Sequence, residues 1–239
     1  MLFFFLLIGK ALELGADTLL IDEDTCATNF MIRDAKMVQL VAADKEPITP
    51  FVRVAPSLFR DHKVSVILVI GGAGDYFEIA DRVLLMDSYK CVDATERARQ
   101  IVAQAGGGIV EPAPFDPLRE RCPDFTKFFP NGKVKTSTKG MIRYGETELD
   151  LRALEQIVSI AQTRAIALAL RTFSFVRVDG TAQPTLRTVL QELDKRIEQE
   201  GLNTVLAPEQ FNGTLTRPRL FEIGAAANRL RRDGAILQK

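Results

Sequence analysis

The chain has 239 residues, 46% hydrophobic and 26% charged, which is enough apolar material for one large core or two small ones and excludes a disordered chain. Its 31 Lys+Arg balance 31 Asp+Glu, so no overall field draws it to nucleic acid or a membrane, and either partner would need a local patch. Cys26, Cys91 and Cys122 are odd in number and far apart, which argues against a disulfide framework or a cysteine metal site and predicts reduced thiols in an intracellular, soluble protein, cytoplasmic or organellar.

The first eight residues, Met1-Leu-Phe-Phe-Phe-Leu-Leu-Ile8, are apolar but end at Gly9-Lys10. A spanning helix needs about 20 such residues, and a secretory signal needs a basic start and a small-residue cleavage site. The run is therefore read as an alternative start, and no membrane span is expected. Thr18–Asp22 follows as a strand whose Leu19, Leu20 and Ile21 predict cover on both faces. Phe30–Ala43 carries apolar residues at helical spacing, with Thr28 or Asn29 as its N-cap. Lys45–Pro56 holds three prolines and reads as a loop, leaving one helical turn from Pro56 to His62. Val64–Ile70 is a second buried strand, stopped at Gly71-Gly-Ala-Gly-Asp75. A short helix over Tyr76–Asp81, a third strand at Val83–Met86, and a helix opened by Asp93 and Glu96 and closed at Gly106–Gly108 complete the first part. Strands alternating with helices predict a parallel α/β sheet.

Composition shifts at Glu111–Pro130, which is rich in proline and lacks periodicity. Beyond it, Val134–Thr138 and Met141–Tyr144 form a hairpin around Lys139-Gly140. Thr147 and Asp150 read as a capping box opening a helix from Leu151 to about Leu170. Phe173–Val178 reads as a strand, and Thr185–Gln199 and Pro218–Arg232 as amphipathic helices.

The chemistry concentrates at the end of the first strand. Adjacent carboxylates there can divide labour: Asp22 can hold a magnesium ion, which keeps several waters and takes one or two carboxylates, while Glu23 orients or deprotonates a water. The alternative is an ordinary acidic strand end. The run Asp22-Glu-Asp-Thr-Cys-Ala-Thr-Asn29, continuing to Asp34, resembles the Walker B motif and D-loop of ABC-type ATPases, and among them the predicted soluble ATPases of the ABC class. Asp24, Cys26 and Asn29 stand where Pro, Ser and Asp are usual. Leu154–Ile166 and Arg217–Arg231 resemble the C-terminal region of the same family, so the likeness spans nearly all of Ala11–Arg232.

The resemblance implies ATP and Mg2+ as ligands, Asp22 for the metal, Glu23 as general base, and Cys26, Ala27, Thr28 and Asn29 as the D-loop contact to a second copy or partner chain. In typical members a His follows the next strand; here Gly71 or Gly72 occupies that place. The amides of Gly71, Gly72 and Gly74 could approach a phosphate, with Asp75 polarising a water; the alternative is a tight turn. The only histidine, His62, precedes the strand and reads as a surface or loop residue. Neither Gly9-Lys10 nor Gly132-Lys133 completes a Gly-x-x-x-x-Gly-Lys-[Ser/Thr] phosphate loop, and the Ser-Gly-rich ABC signature is missing too. The expectation is thus a partial P-loop NTPase (ABC-type) α/β core over 1–110, a linker over 111–133 and a smaller α+β region over 134–239, inactive in ATP hydrolysis on its own. The alternative function is a non-catalytic RNA- or protein-binding module. Lys133, Lys135, Lys139 and Arg143 beside Tyr144 would carry the RNA contact, because cations interleaved with rings suit single strands. A second basic cluster, Arg217, Arg219, Arg229, Arg231 and Arg232, crowds the last helix.

Overall fold

The computed structural model describes residues 2–33, 39–41, 45, 48–107, 110–116, 120–124, 134–145, 147–173, 176, 178, 183–206, 213–230 and 236–237. The chain is a mixed α/β protein in two units, Met1–Gly9 with Ala16–Pro117 and Lys10–Gly15 with Leu118–Lys239.

Helix α1 (Leu2–Glu13) gives its first part to the first unit and its end to the second. In the first unit, strand β1 (Thr18–Asp22) pairs in parallel with β2 (Ser65–Val69), Leu20 opposite Ile67 and Asp22 opposite Val69. Both strands are continuous apolar runs, as parallel strands require. Their cover is one-sided: Leu20, Ile67 and Val69 are 77%, 57% and 65% exposed, whereas Leu19 is buried. The expectation of cover on both faces fails because the described residues supply no layer over that side. Beneath the covered side lies helix α3 (Phe51–His62), which turns inward Phe51, Val52, Val54, Ala55 and Leu58. This corrects the reading of Lys45–Pro56 as a loop. Pro50 precedes the first turn, and Pro56 is accommodated within the helix, where it removes one N–H and nothing else that the apolar face needs.

Of the helix expected over Phe30–Ala43, the described residues show the short α2 (Thr28–Met31), ended by Ile32 at φ −140°, and helical backbone at Gln39 and Leu40; residues 34–38 and 42–43 lie outside the described residues. Phe30 survives as core, stacked on Phe51 at 5.4 Å between ring centroids. Strand β3 (Leu84–Asp87) does not join the parallel pair. It forms a hairpin with β4 (Lys90–Asp93), a strand that periodicity did not reveal. Ser88 and Tyr89, both at positive φ, make its two-residue turn. Helix α4 (Thr95–Gln104) starts one residue away from a capping box: Asp93 Oδ1 accepts from the Thr95 N–H and hydroxyl instead.

The second unit holds one core, built from Leu14, the sheet β6–β7–β8 and three helices. Strands β6 (Val134–Thr138), β7 (Met141–Tyr144) and β8 (Thr147–Asp150) are antiparallel neighbours, and a two-residue strand β5 (Cys122–Pro123) pairs with β9 (Ile236–Leu237). Thr147–Asp150 is therefore strand, not a helix cap: Leu149 points into the core between exposed Glu148 and Asp150, a period of two. The capping box sits later, where Ser159 and Gln162 exchange hydrogen bonds to open α5 (Ile160–Thr172). Phe173 is the helical C-cap of α5, not the start of a strand. Helix α6 (Leu186–Glu200) is capped by Thr185 and stopped by Gly201 at φ +81°. Helix α7 (Leu220–Arg229) packs so closely on Leu14 that a methyl group on Gly224 would overlap Leu14 Cδ1.

Candidate functional site

Two strand ends build the site. Because β1 and β2 are parallel and in register to Asp22 opposite Val69, the chain segments that leave them emerge side by side. One is Glu23–Thr25, a single 3-10 turn; the other is the glycine loop from Gly71 into a second 3-10 turn, Gly74–Glu78. Asp22 caps the first turn, its Oδ1 accepting the Asp24 N–H at 3.3 Å while Thr25 Oγ1 donates to its carbonyl. The Asp22 side chain remains exposed with free lone pairs.

Glu23 reaches across to the glycine loop. Its Oε2 accepts the Gly71 N–H at 2.8 Å and the Gly72 N–H at 3.1 Å. The Gly72 amide first, then that of Gly71, holds this carboxyl below its ordinary range. A Cβ on Gly72 would meet only Glu23, and one on Gly71 only Asp24, each at ordinary contact distance. Both amides are thus taken by Glu23, while the space beside the loop is otherwise open. Asp75 and Gly74 are exposed and lie beyond this contact.

The loop is pinned a second time. Tyr76 is buried and donates its hydroxyl to the Met31 carbonyl at 2.8 Å; burial pushes its phenol far up. Glu23 and Met31 bracket Cys26, Ala27, Thr28 and Asn29, so one loop fastens both ends of that segment. Sequence reading missed Tyr76, and its only signal was its place one residue after Asp75. Neither Thr28 nor Asn29 caps α2, whose N-cap is Ala27 without a side-chain bond. Burial raises the Cys26 thiol, so it is no reactive thiolate.

Residues 6–117 match the model of the ABC_ATPase family, in its P-loop domain. That stretch, a little under half of the chain, supports an ABC-class ATPase domain. Residues 133–234 match a second model, the MRB1590 C-terminal domain. No curated protein matches the chain.

His62 ends α3, its Nε2 2.8 Å from the Phe115 carbonyl and its ring edge-on to Phe115; it is a packing residue of the family domain. In the second domain Lys135 and Arg143 stand directly opposite on β6 and β7, and Lys139 is exposed at the turn. Lys133 lies outside the described residues. Tyr144 is buried, with its hydroxyl on the Ala167 carbonyl, so it cannot stack on a base. The C-terminal arginines are engaged: Arg217 pairs with Asp194 and Glu198, Arg219 with Glu222, and Arg229 donates to the Ala225 carbonyl. Arg231 and Arg232 lie outside the described residues.

Proposed function

We propose that this chain supplies the magnesium- and water-handling side of an ABC-class ATP site. The observation that carries the reading is the juxtaposition at the two parallel strand ends: exposed Asp22, Glu23 beside it, and the Gly71–Gly72 amides within hydrogen-bond reach. Asp22 suits magnesium, since a single carboxylate with open lone pairs is what that ion takes alongside its waters and phosphate oxygens. When bound, the ion neutralises charge developing on the phosphates. Glu23, on an ordinary carboxylate scaffold and ionised, orients and accepts a proton from the attacking water. Cys26–Asn29 then forms the contact to a second copy or partner chain. These 239 residues hold no Gly-x-x-x-x-Gly-Lys-[Ser/Thr] run, so this reading assigns them the magnesium and water side and not the triphosphate cradle. The domain reading that accompanies this places the ATPase core in 1–110, a linker in 111–133 and the family-specific region in 134–239.

The test is a titration with a fluorescent ATP analogue and magnesium. Saturable, magnesium-dependent binding is expected to fall at least tenfold in Asp22→Ala, the loss typical of a metal-site partner. Binding that is unchanged in that variant removes Asp22 from the role.

A second reading, RNA binding by the C-terminal region, is favoured by one observation. Lys135 and Arg143 are like charges directly opposite on an exposed sheet face, an arrangement that costs stability and is eased by Glu148 opposite Arg143 and by the Gly145 carbonyl that accepts from Arg143 Nε. An anionic strand laid across β6 and β7 would relieve it. Lys135→Glu with Arg143→Glu is expected to abolish salt-sensitive binding of single-stranded RNA in an anisotropy titration. No binding by the unmodified chain at low salt ends this reading. Among the described residues no helix is long and apolar enough to cross a membrane.

A further inference from the structure

We propose that the Gly71–Gly72 amide pair is a phosphate-oxygen berth that the chain's own Glu23 carboxylate fills at rest, so that an arriving phosphate and Glu23 compete for the same two N–H groups. The inference rests on the reading of Glu23 as the water-handling residue of an ATP site, and it adds a resting state to it.

Three observations support the competition. First, the berth already holds an anion: one carboxylate oxygen, Glu23 Oε2, takes both N–H groups at 2.8 and 3.1 Å. Two converging amides on one anionic oxygen are what a phosphate oxygen also seeks. Second, no side chain other than carboxylates approaches the berth. A Cβ built on Gly71 or Gly72 meets only the Asp24 or the Glu23 carboxylate within 4 Å, so the space beside the loop is otherwise open, and a phosphate oxygen that takes the two N–H groups must displace Glu23 from them. Third, the loop is anchored independently of Glu23. The Tyr76 hydroxyl on the Met31 carbonyl keeps it in place when the carboxylate leaves. Glu23 is partly exposed and belongs to a single 3-10 turn, so it can swing out without disturbing β1. In the berth, Glu23 commits Oε2 to the two amides and is tethered to the loop, which makes it a poorer acceptor of a proton from water. Displaced, it is free to do so. A berth emptied by phosphate thereby couples arrival of the substrate to release of the base.

The experiment follows the backbone amide resonances of Gly71 and Gly72 in the 239-residue chain during titration with inorganic phosphate. In Glu23→Gln the amides lose a charged acceptor, and half-saturation is expected at roughly tenfold lower phosphate than in the unmodified chain. Glu23→Ala, which leaves no competing side chain, is expected to match or exceed that gain. Asp24→Asn removes the same charge one residue away from the berth and is expected to gain less than about threefold. Equal phosphate affinity for Glu23→Gln and the unmodified chain, an equal gain in Asp24→Asn, or no response of Gly71 and Gly72 in any variant overturns the competition. Those results leave the Asp22-dependent binding of the ATP analogue standing, and loss of that binding with the phosphate response intact fails the ATP reading instead.

Discussion

Glu13→Ala is expected to destabilise the second unit by about 3–5 kcal/mol, the cost of stranding one member of a buried ion pair. The Glu13 side chain is 1% exposed and pairs with Arg121, itself buried. Glu13 Oε1 accepts both the Arg121 main-chain N–H at 3.0 Å and its Nε at 2.9 Å, while Oε2 takes the other prong of the guanidinium. The same guanidinium donates to Asn228 Oδ1 on α7. Truncation therefore leaves the buried Arg121 amide without its acceptor and the buried cation with only the neutral Asn228 Oδ1. Asn228 Nδ2 is itself a buried donor without a partner among the described residues, so it cannot replace the lost carboxylate. Glu13→Gln keeps an oxygen for the Arg121 amide and is expected to cost less than half as much, because it loses charge but not connectivity. Urea unfolding followed by circular dichroism checks both, as a lower midpoint at constant slope. Equal losses for the two variants would show that charge alone matters; no loss in Glu13→Ala would mean that the pair merely breaks even against its desolvation.

This pair also marks a limit of sequence reading. Glu13 and Arg121 lie 108 residues apart, and nothing local in either stretch announces the partner. Glu13 reads as the end of a helix and Arg121 as part of a proline-rich connection. The readings that held were those in which the local pattern and the tertiary outcome agree. Thr18–Asp22 has the apolar run and acidic end of a parallel strand, and it is one. Thr185 and Gly201 bracket α6 because a side-chain cap and a positive-φ stop are local devices. Those that failed were set by competition. Thr147 and Asp150 have the spacing of a capping box, but Leu149 between two exposed acidic residues suits a sheet face, and β7 was available to pair with it. Pro56 signals a loop, yet five apolar side chains on one helical face outweighed one missing N–H.

The site divides in the same way. Asp22, Glu23, Gly71 and Gly72 converge because two parallel strands in register end together, and adjacent strand ends are legible once the strands are. The direction of the Gly71 and Gly72 amides is not. Glycine fixes no orientation by composition, and only the folded loop turns both N–H groups onto Glu23. Tyr76 was invisible for the opposite reason. Its role is a hydroxyl bond to a main-chain carbonyl, which leaves no pattern in residue types.

Gly140→Ala is expected to cost about 3 kcal/mol, whereas Gly145→Ala is expected to cost only about 1. Both glycines are in the left-handed region, at φ +77° and +57°, so both variants pay the penalty of a Cβ there. They differ in what surrounds them. Nothing lies within 4 Å of a Cβ built on exposed Gly145. On buried Gly140 the same atom meets main chain: Arg152 N at 3.0 Å, Arg152 Cα at 3.1 Å and the Leu151 carbonyl carbon at 3.2 Å. Backbone cannot swing aside as a side-chain tip can. Relief would require moving the strand of contacts that Gly140 organises, its N–H donating to Thr163 Oγ1 on α5 and its carbonyl accepting from Leu151 at 2.7 Å. Those two bonds tie the β6–β7 turn to α5 and to the chain leaving β8. Faster amide exchange at Leu151 together with a lowered urea midpoint is therefore expected in Gly140→Ala and not in Gly145→Ala. Matching losses in the two variants would mean that the φ penalty is the whole effect and that the turn is free to shift away from Arg152.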